Sequence, residues 1–379
     1  MEMYRKYGPI YVERLQGRYS LVHIVKGTDI RKLHQEEGKE PFRLGATPLK
    51  HYRTSRPKYY SDVGLLNLQG KKWQRVRSNT QPHTLKVRTS MTYVPAMHRI
   101  SDEALTLIDE VMDKNGEVKN CFRILQQWAL ESVASVTADM RLCCLKDPLD
   151  PTSDGAAILE DIKTAFTCIQ KLGYRFPYFH YFRTPTWRRF EKAMDDFTER
   201  TYRQIEEAAG RIESRKLESE PTVLKSLLLE KKLTFGEIFT FTSDFILSGV
   251  DTTAFATTCL LFQLAKNREA QQKARDEILD AAREKSGFIA PEQLEKLLFL
   301  KACLRESLRL NPPAPGIYRI LDHDVVMSGY VVSAGILLKY EVHCEKEDID
   351  FHGRLGNVPN GSVDFFFKKV SSPAVLKVA

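Results

Sequence analysis

Thr234–Lys266 reads T-F-G-E-I-F-T-F-T-S-D-F-I-L-S-G-V-D-T-T-A-F-A-T-T-C-L-L-F-Q-L-A-K. Thr234 and Glu237 form a T-x-x-E capping box, the arrangement in which each side chain satisfies a free backbone N–H of the other residue. From Ile238 to Ala265 there is no Lys, Arg or Glu, and Asp244 and Asp251 carry the only charges. At about 1.5 Å per residue, 235–266 is a helix roughly 48 Å long. A helix apolar on nearly every side is expected to be buried on nearly every side. A membrane span is the rival reading. Two aspartates and eight Ser/Thr between 238 and 265 weigh against it. Within the helix, Ser248-Gly249-Val250-Asp251-Thr252-Thr253 puts glycine, acid and hydroxyl together. Hydroxyls that bond back to carbonyls bend or open a helix, and a buried carboxylate is costly unless paired. The six residues therefore fit either a ligand-accepting, proton-delivering bulge or a satisfied Asp at a helix crossing.

Working outward, Leu300–Leu310 reads L-K-A-C-L-R-E-S-L-R-L and predicts a second core helix. Leu300, Cys303, Leu304, Ser307, Leu308 and Leu310 share one arc, taken as the buried face. Glu306 and Arg309 stand i,i+3, close enough for a charge-assisted pair. Lys301 and Arg305 stand i,i+4 on a neighbouring face, where a solvated edge is the plain reading.

Around these two helices, the 379 residues carry 42% hydrophobic and 28% charged side chains, enough to bury a large core. The net charge of +8 is spread through mixed-sign helices. It does not imply nucleic acid and suits an acidic protein partner or an anionic surface. Seven cysteines without a C-x-x-C pair argue against a disulfide framework or a zinc site, so no metal ligand set is assigned. The opening M-E-M-Y-R-K-Y-G-P-I-Y-V has neither a secretory nor a transit pattern. Ile10–Arg14 and Ser20–Val25 read as strands joined at Gly17, and Thr28-Asp29 as the cap of a helix ending before Gly38. Further helices are expected at 101–114, 122–140, 155–170, 187–217, 268–284 and 291–310. Val325–Met327 and Tyr330–Val332 flank Ser328-Gly329 as a hairpin, and Ile336–His343 and Val363–Lys368 look extended. With no repeat or linker, one domain over 1–379 is expected, mainly α with small β-sheets (α+β).

S-G-V-D-T-T in a long apolar helix, then E-S-L-R, then N-P-P-A-P-G-I-Y-R-I-L, resembles the central and K helices of cytochrome P-450 enzymes. Trp73-Gln74-Arg75-Val76-Arg77 is similar to the family's W-x-x-x-R. The resemblance runs in order from about Tyr7 to Gly335. It implies haem as cofactor, with Trp73, Arg77 and Arg319 at its propionates. It implies Asp251 and Thr252 as the acid–alcohol pair delivering protons during oxygen activation, and Glu306 with Arg309 as a structural buttress. The wording of K-A-C-L-R-E-S-L-R-L and A-P-G-I-Y-R-I-L is similar to the mitochondrial branch. That implies an adrenodoxin-like ferredoxin docking on Lys301 and Arg305, a lipophilic, sterol-like substrate, and residence on the matrix side of the inner membrane with peripheral membrane contact.

The family's axial thiolate lies in a Phe-x-x-Gly-x-Arg-x-Cys-x-Gly loop, and no such loop is present. Cys344 is the one cysteine after Arg309, and V-H-C-E-K-E-D lacks the glycine and aromatic of that loop. I-L-L-K-Y-E-V-H and G-N-V-P-N-G-S-V-D-F-F-F resemble the family's last helix end and C-terminal hairpin. The resemblance thus implies a fold incomplete at its N-terminus, with the cysteine loop and its surroundings missing near Gly335-Ile336. Two functions follow: a ferredoxin-driven monooxygenase, or a truncated, inactive chain without stable haem-thiolate that at most binds ferredoxin.

Overall fold

The computed structural model describes residues 2–14, 20–146, 149–173, 176–214, 221–283, 289–314, 316–332, 340–344, 351–352, 358–359 and 365–369. Helix α1 (Glu2–Tyr7) leads into the antiparallel pair β1 (Ile10–Arg14) and β2 (Ser20–Ile24), in register from Ile10↔Ile24 to Arg14↔Ser20. There follow α2 (Gly27–Glu36), α3 (Thr47–Thr54), α4 (Gly70–Thr84), α5 (Val87–Met91), α6 (Val94–Val111), α7 (Cys121–Ala138) and α8 (Asp154–Gly173). Next come α9 (Pro185–Ser214), α10 (Val223–Glu230), α11 (Phe235–Lys266), α12 (Arg268–Arg283), α13 (Pro291–Lys296) and α14 (Leu298–Leu310). The chain then turns to strands. The hairpin of β3 (Val325–Met327) and β4 (Tyr330–Val332) precedes β5 (Tyr340–Cys344), β6 (Phe351–His352), β7 (Val358–Pro359) and β8 (Phe365–Lys369). β5 pairs antiparallel with β8, and β6 with β7. The protein is mainly helical with small sheets, as expected.

Helix α11 begins where its capping box places it. The Thr234 hydroxyl accepts the Glu237 amide at 3.3 Å, and the Glu237 carboxylate accepts the Thr234 amide at 2.9 Å. Its first half packs against α7, α9 and α10 in a core that includes Leu130, Ile158, Phe190, Phe197, Ile205 and Phe239. Asp244 is paired there by Arg53 from α3, whose side chain is fully buried; Arg53 also donates to the Val63 carbonyl at 3.0 Å and lies 4.9 Å from the Tyr60 ring centroid.

Four expectations need correction. α11 is buried only in its first half: Phe255, Leu261 and Phe262 are 39%, 49% and 56% exposed, because α7 covers the helix no further and α14 covers one flank. By length and composition α11 could cross a bilayer, yet its N-terminal half is packed inside the helical body. On α14, Ser307 alone of the expected core face is buried; Leu304 and Leu310 are exposed, since α14 rests on α11 and α12 while its remaining flank is uncovered among the described residues. The expected helix 291–310 is two helices, broken at buried Leu297, whose ψ of 67° leaves the helical region. Thr28-Asp29 does not cap α2, which starts at Gly27. Asp29 instead accepts the amide and hydroxyl of Ser328, a residue at φ +48° in the β3–β4 turn. Gly17 and the Gly335–Ile336 junction lie outside the described residues, and of Cys344 only the backbone is described.

Candidate functional site

Trp73 and Arg77 stand one turn apart on α4 and share a flank of that helix. Its exposed face carries Lys71 and Lys72, and Val76 and Thr80 point inward. An isolated bridge pairs Phe42 with Ile320, the Ile320 amide donating to the Phe42 carbonyl at 2.8 Å. That bridge brings the neighbours Arg43 and Arg319 to the same place. The Arg43 guanidinium stacks 4.7 Å from the Trp73 ring centroid. It is held there by the Leu65 and Leu68 carbonyls, both at 3.0 Å, while Gln69 exchanges hydrogen bonds with its backbone. Arg319 is anchored by Glu37, which also bonds His34 at 2.8 Å.

Three guanidinium groups therefore converge with one nearby carboxylate. Burial, then the like charges of Arg319 and Arg77, pull the Arg43 pKa below its ordinary value; Glu37 opposes them. Such crowding of cations is unfavourable in a protein interior unless an anion offsets it. Two donors of this cluster have no hydrogen-bond partner: the buried Nε1 of Trp73 and the buried Nε of Arg43. Buried donors are nearly always paired, so the cluster has the chemistry of a receptor for carboxylates. The family resemblance named Trp73, Arg77 and Arg319 and did not name Arg43. The missing signal was the Phe42–Ile320 bridge, a pairing between residues nearly three hundred positions apart that no local pattern announces.

The remaining site residues fall on two helices. On α11, Asp251 is half-buried and its Oδ1 accepts from Gln126 Nε2 on α7 at 2.7 Å. Thr252, the next residue round the helix, is exposed and donates to the Ser248 carbonyl at 2.7 Å. The helix runs unbroken through this segment. A Cβ on Gly249 would lie 3.0 Å from Val133 Cγ2, so the glycine permits the close approach of α7 and α11. On α14, Arg309 clasps Glu306 in a bidentate pair at 2.6 and 2.7 Å; both side chains are exposed, and among the described residues no third group joins them. Arg305 is exposed, while half-buried Lys301 turns its ammonium back to the Glu295 carbonyl at 3.0 Å.

A long central helix, a Glu–Arg pair on the helix beside it, and an indole set among arginines make up a helical protein with an anion-receptive cluster. The cytochrome P450 family model matches residues 1–343, and the chain belongs to that family. Its relatives include a probable cytochrome P450 49a1 of Drosophila melanogaster, 30% identical over 88% of this chain and 58% of its own length. A mitochondrial cytochrome P450 12b1 of Drosophila acanthoptera is 29% identical over 87% of this chain and 62% of its own. The mitochondrial cholesterol side-chain cleavage enzyme of Equus caballus is 27% identical over 92% and 66%. The chain thus spans about three-fifths of the length of the first two. The retinoic acid-bound cyanobacterial CYP120A1 superposes with a TM-score of 0.64 at 16% identity, covering 88% of this chain and 69% of that one. The fold is therefore that of the family.

Haem is the cofactor this family implies, and its carboxylate edge fits the residues present: Trp73 Nε1, Arg43 Nε and the Arg77 and Arg319 guanidinium groups supply donors and charge. The axial position is a different matter. Among the described cysteine side chains, Cys121, Cys168, Cys259 and Cys303 lie in helices, and Cys143 and Cys144 just past α7. Cys144 donates to Glu131 at 3.0 Å; burial first, then that carboxylate, push its thiol pKa up, and burial raises Cys168 too. A ligating thiolate needs the opposite shift.

Proposed function

We propose that this protein serves haem-dependent monooxygenation. One oxygen atom of O2 would enter a lipophilic, sterol-like substrate, with electrons from an adrenodoxin-like ferredoxin, on the matrix side of the inner mitochondrial membrane. The observation that carries this reading is the cluster of Arg43, Arg77 and Arg319 around the unpartnered Trp73 indole. When bound, haem supplies the oxygen-activating chemistry. The chain's own residues would do the rest: the arginines would hold the carboxylates, and Asp251, kept in place by Gln126, and the exposed Thr252 hydroxyl beside it on α11 would serve proton delivery. Names of the relatives support the mitochondrial placement. Peripheral membrane contact is supported by the α8–α9 connection, where Phe176, Tyr178, Tyr181 and Phe182 are 42–70% exposed next to Arg183. Aromatic rings beside cations suit a lipid–water interface.

A second reading is an inactive protein that keeps the ferredoxin-facing α14. It is favoured by one specific observation, the absence of the Phe-x-x-Gly-x-Arg-x-Cys-x-Gly loop. The ferrous–CO spectrum after reconstitution with hemin separates the two. A red-shifted, thiolate-type Soret band that disappears in Cys344→Ala supports monooxygenation. Haem bound without that band assigns the chain to the second reading.

A further inference from the structure

Helix α14 opens on Leu298-Phe299-Leu300, preceded by Leu297, which has no side-chain acceptor to offer. A helix leaves its first four N–H groups without intrahelical partners, and an apolar start supplies no cap of its own. The cap comes from another helix. Half-buried Glu277 of α12 accepts the Phe299 amide on Oε1 at 2.9 Å and the Leu300 amide on Oε2 at 2.9 Å. One turn earlier on the same face of α12, Lys273 places its ammonium 4.5 Å from the Phe299 ring centroid. A third tie follows at once in sequence, from Lys301 Nζ to the Glu295 carbonyl at the end of α13. The first turn of α14 is therefore gripped from α12 and α13, and Lys301 is the next residue after the gripped amides, with Arg305 one turn beyond.

We propose that Glu277 is the positioning residue of the partner-facing helix: by capping α14 from α12 it fixes where that helix starts and how it is rotated, and so sets Lys301 and Arg305 as a pair for an acidic protein. This rests on the ferredoxin reading given above. The negative charge of Glu277 also sits at the positive end of the α14 dipole, where a carboxylate is favoured. The cap makes presentation of the two cations a property of α12 as much as of α14.

The test uses the full chain with adrenodoxin as the probe, binding being titrated against ionic strength. Glu277→Ala is expected to weaken binding at low salt about fivefold, the equivalent of one lost helix cap, and to flatten its salt dependence. Glu277→Gln, which keeps one acceptor oxygen, is expected to fall between Glu277→Ala and the parent in both. Should Glu277→Ala lose its fold, Glu277→Gln decides: parental affinity and salt dependence in it, with faster amide exchange at Phe299 and Leu300, would overturn the proposal. So would an unchanged affinity and salt dependence in Glu277→Ala accompanied by faster amide exchange at Phe299 and Leu300. Lys301→Glu with Arg305→Glu keeps the two levels apart: binding unaffected by this reversal sinks the ferredoxin reading and the proposal together. Binding abolished by the reversal but untouched by Glu277→Ala sinks the positioning role alone.

Discussion

Gln126 on α7 donates its side-chain amide to Asp251 on α11, 2.7 Å away, across the crossing that Gly249 allows to be close. A neutral amide is the partner of the acid here, so the carboxylate is held in place by a hydrogen bond between two helices and not by an ion pair among the described residues. The neighbouring Thr252 is exposed and bonds to the Ser248 carbonyl of its own helix.

Gln126→Leu should cost stability because a half-buried carboxylate loses its donor; hydrogen bonds to charged groups contribute about 1.5–3 kcal/mol. Asp251→Asn, which can still accept from the amide, should cost less. Urea midpoints at pH 7 measure both. Equal midpoints for Gln126→Leu and the parent would mean that solvent already serves Asp251 and that the crossing does not depend on the pair.

A different carboxylate on α11 is structural. Asp244 is the partner of fully buried Arg53. Asp244→Asn should destabilise by roughly 3–5 kcal/mol, since it strands a buried guanidinium. Arg53→Met combined with Asp244→Leu should recover most of that loss, because neither charge then needs desolvation. Denaturant unfolding of the single and double variants checks the cycle; a double variant as unstable as Asp244→Asn would show that the Val63 carbonyl and Tyr60 ring, not the charge pair, are what Arg53 secures.

Much of this was legible in the sequence where the signal is local. The T-x-x-E box set the start of α11, and Ser328-Gly329 set the β3–β4 turn, with φ values of +48° and +84°. Trp73 and Arg77 were named from the resemblance of W-Q-R-V-R to a family motif, and that motif lies within one local stretch of chain. Misreadings arose where the deciding partner is remote. Leu304 and Leu310 carry the pattern of a core face, but a pattern states what a helix is prepared to bury and not whether a neighbour covers it. Arg53 gave no sign of being buried, since its reason is Asp244 on another helix. Gln126 escaped for the same cause: its partner Asp251 lies 125 positions away on another helix.

Glu131 should make the protein acid-sensitive. It is completely buried on α7 and accepts the Leu142 and Cys144 amides, the Cys144 thiol and Arg141. Burial alone would raise its pKa; the Cys144 thiol, Arg141 and the Cys144 amide outweigh burial and leave it lowered. A folded-state pKa below the unfolded one means that the stabilisation is fully present above about pH 5 and is lost as pH falls through the folded value. Glu131→Gln should therefore be less stable at pH 7 and show a shallower decline of stability between pH 5 and pH 3. Thermal melts across that range measure the slope. Parallel slopes in the variant and the parent would remove Glu131 from the acid response.

The carboxylate receptor makes a demand that does not depend on the axial ligand. Hemin and its dimethyl ester share a macrocycle and an iron but differ in the two carboxylates. The parent chain should prefer hemin, because Arg43, Arg77, Arg319 and the Trp73 indole supply charge-assisted hydrogen bonds, each contributing about 1.5–3 kcal/mol. Arg43→Met removes the Nε donor and one of three converging charges, while its side chain can still cover the Trp73 ring. It should weaken hemin about 10-fold or more and leave the ester nearly unchanged, so the ratio of the two affinities falls. Losing the bonds to the Leu65 and Leu68 carbonyls also loosens the segment around them. That loss acts on both ligands alike and cancels in the ratio. Soret titrations of the two ligands against the parent, Arg43→Met and Arg77→Met provide the numbers. A ratio that survives both substitutions would mean that the arginines crowd together for the sake of the fold, and that the carboxylates of a bound haem find their partners elsewhere.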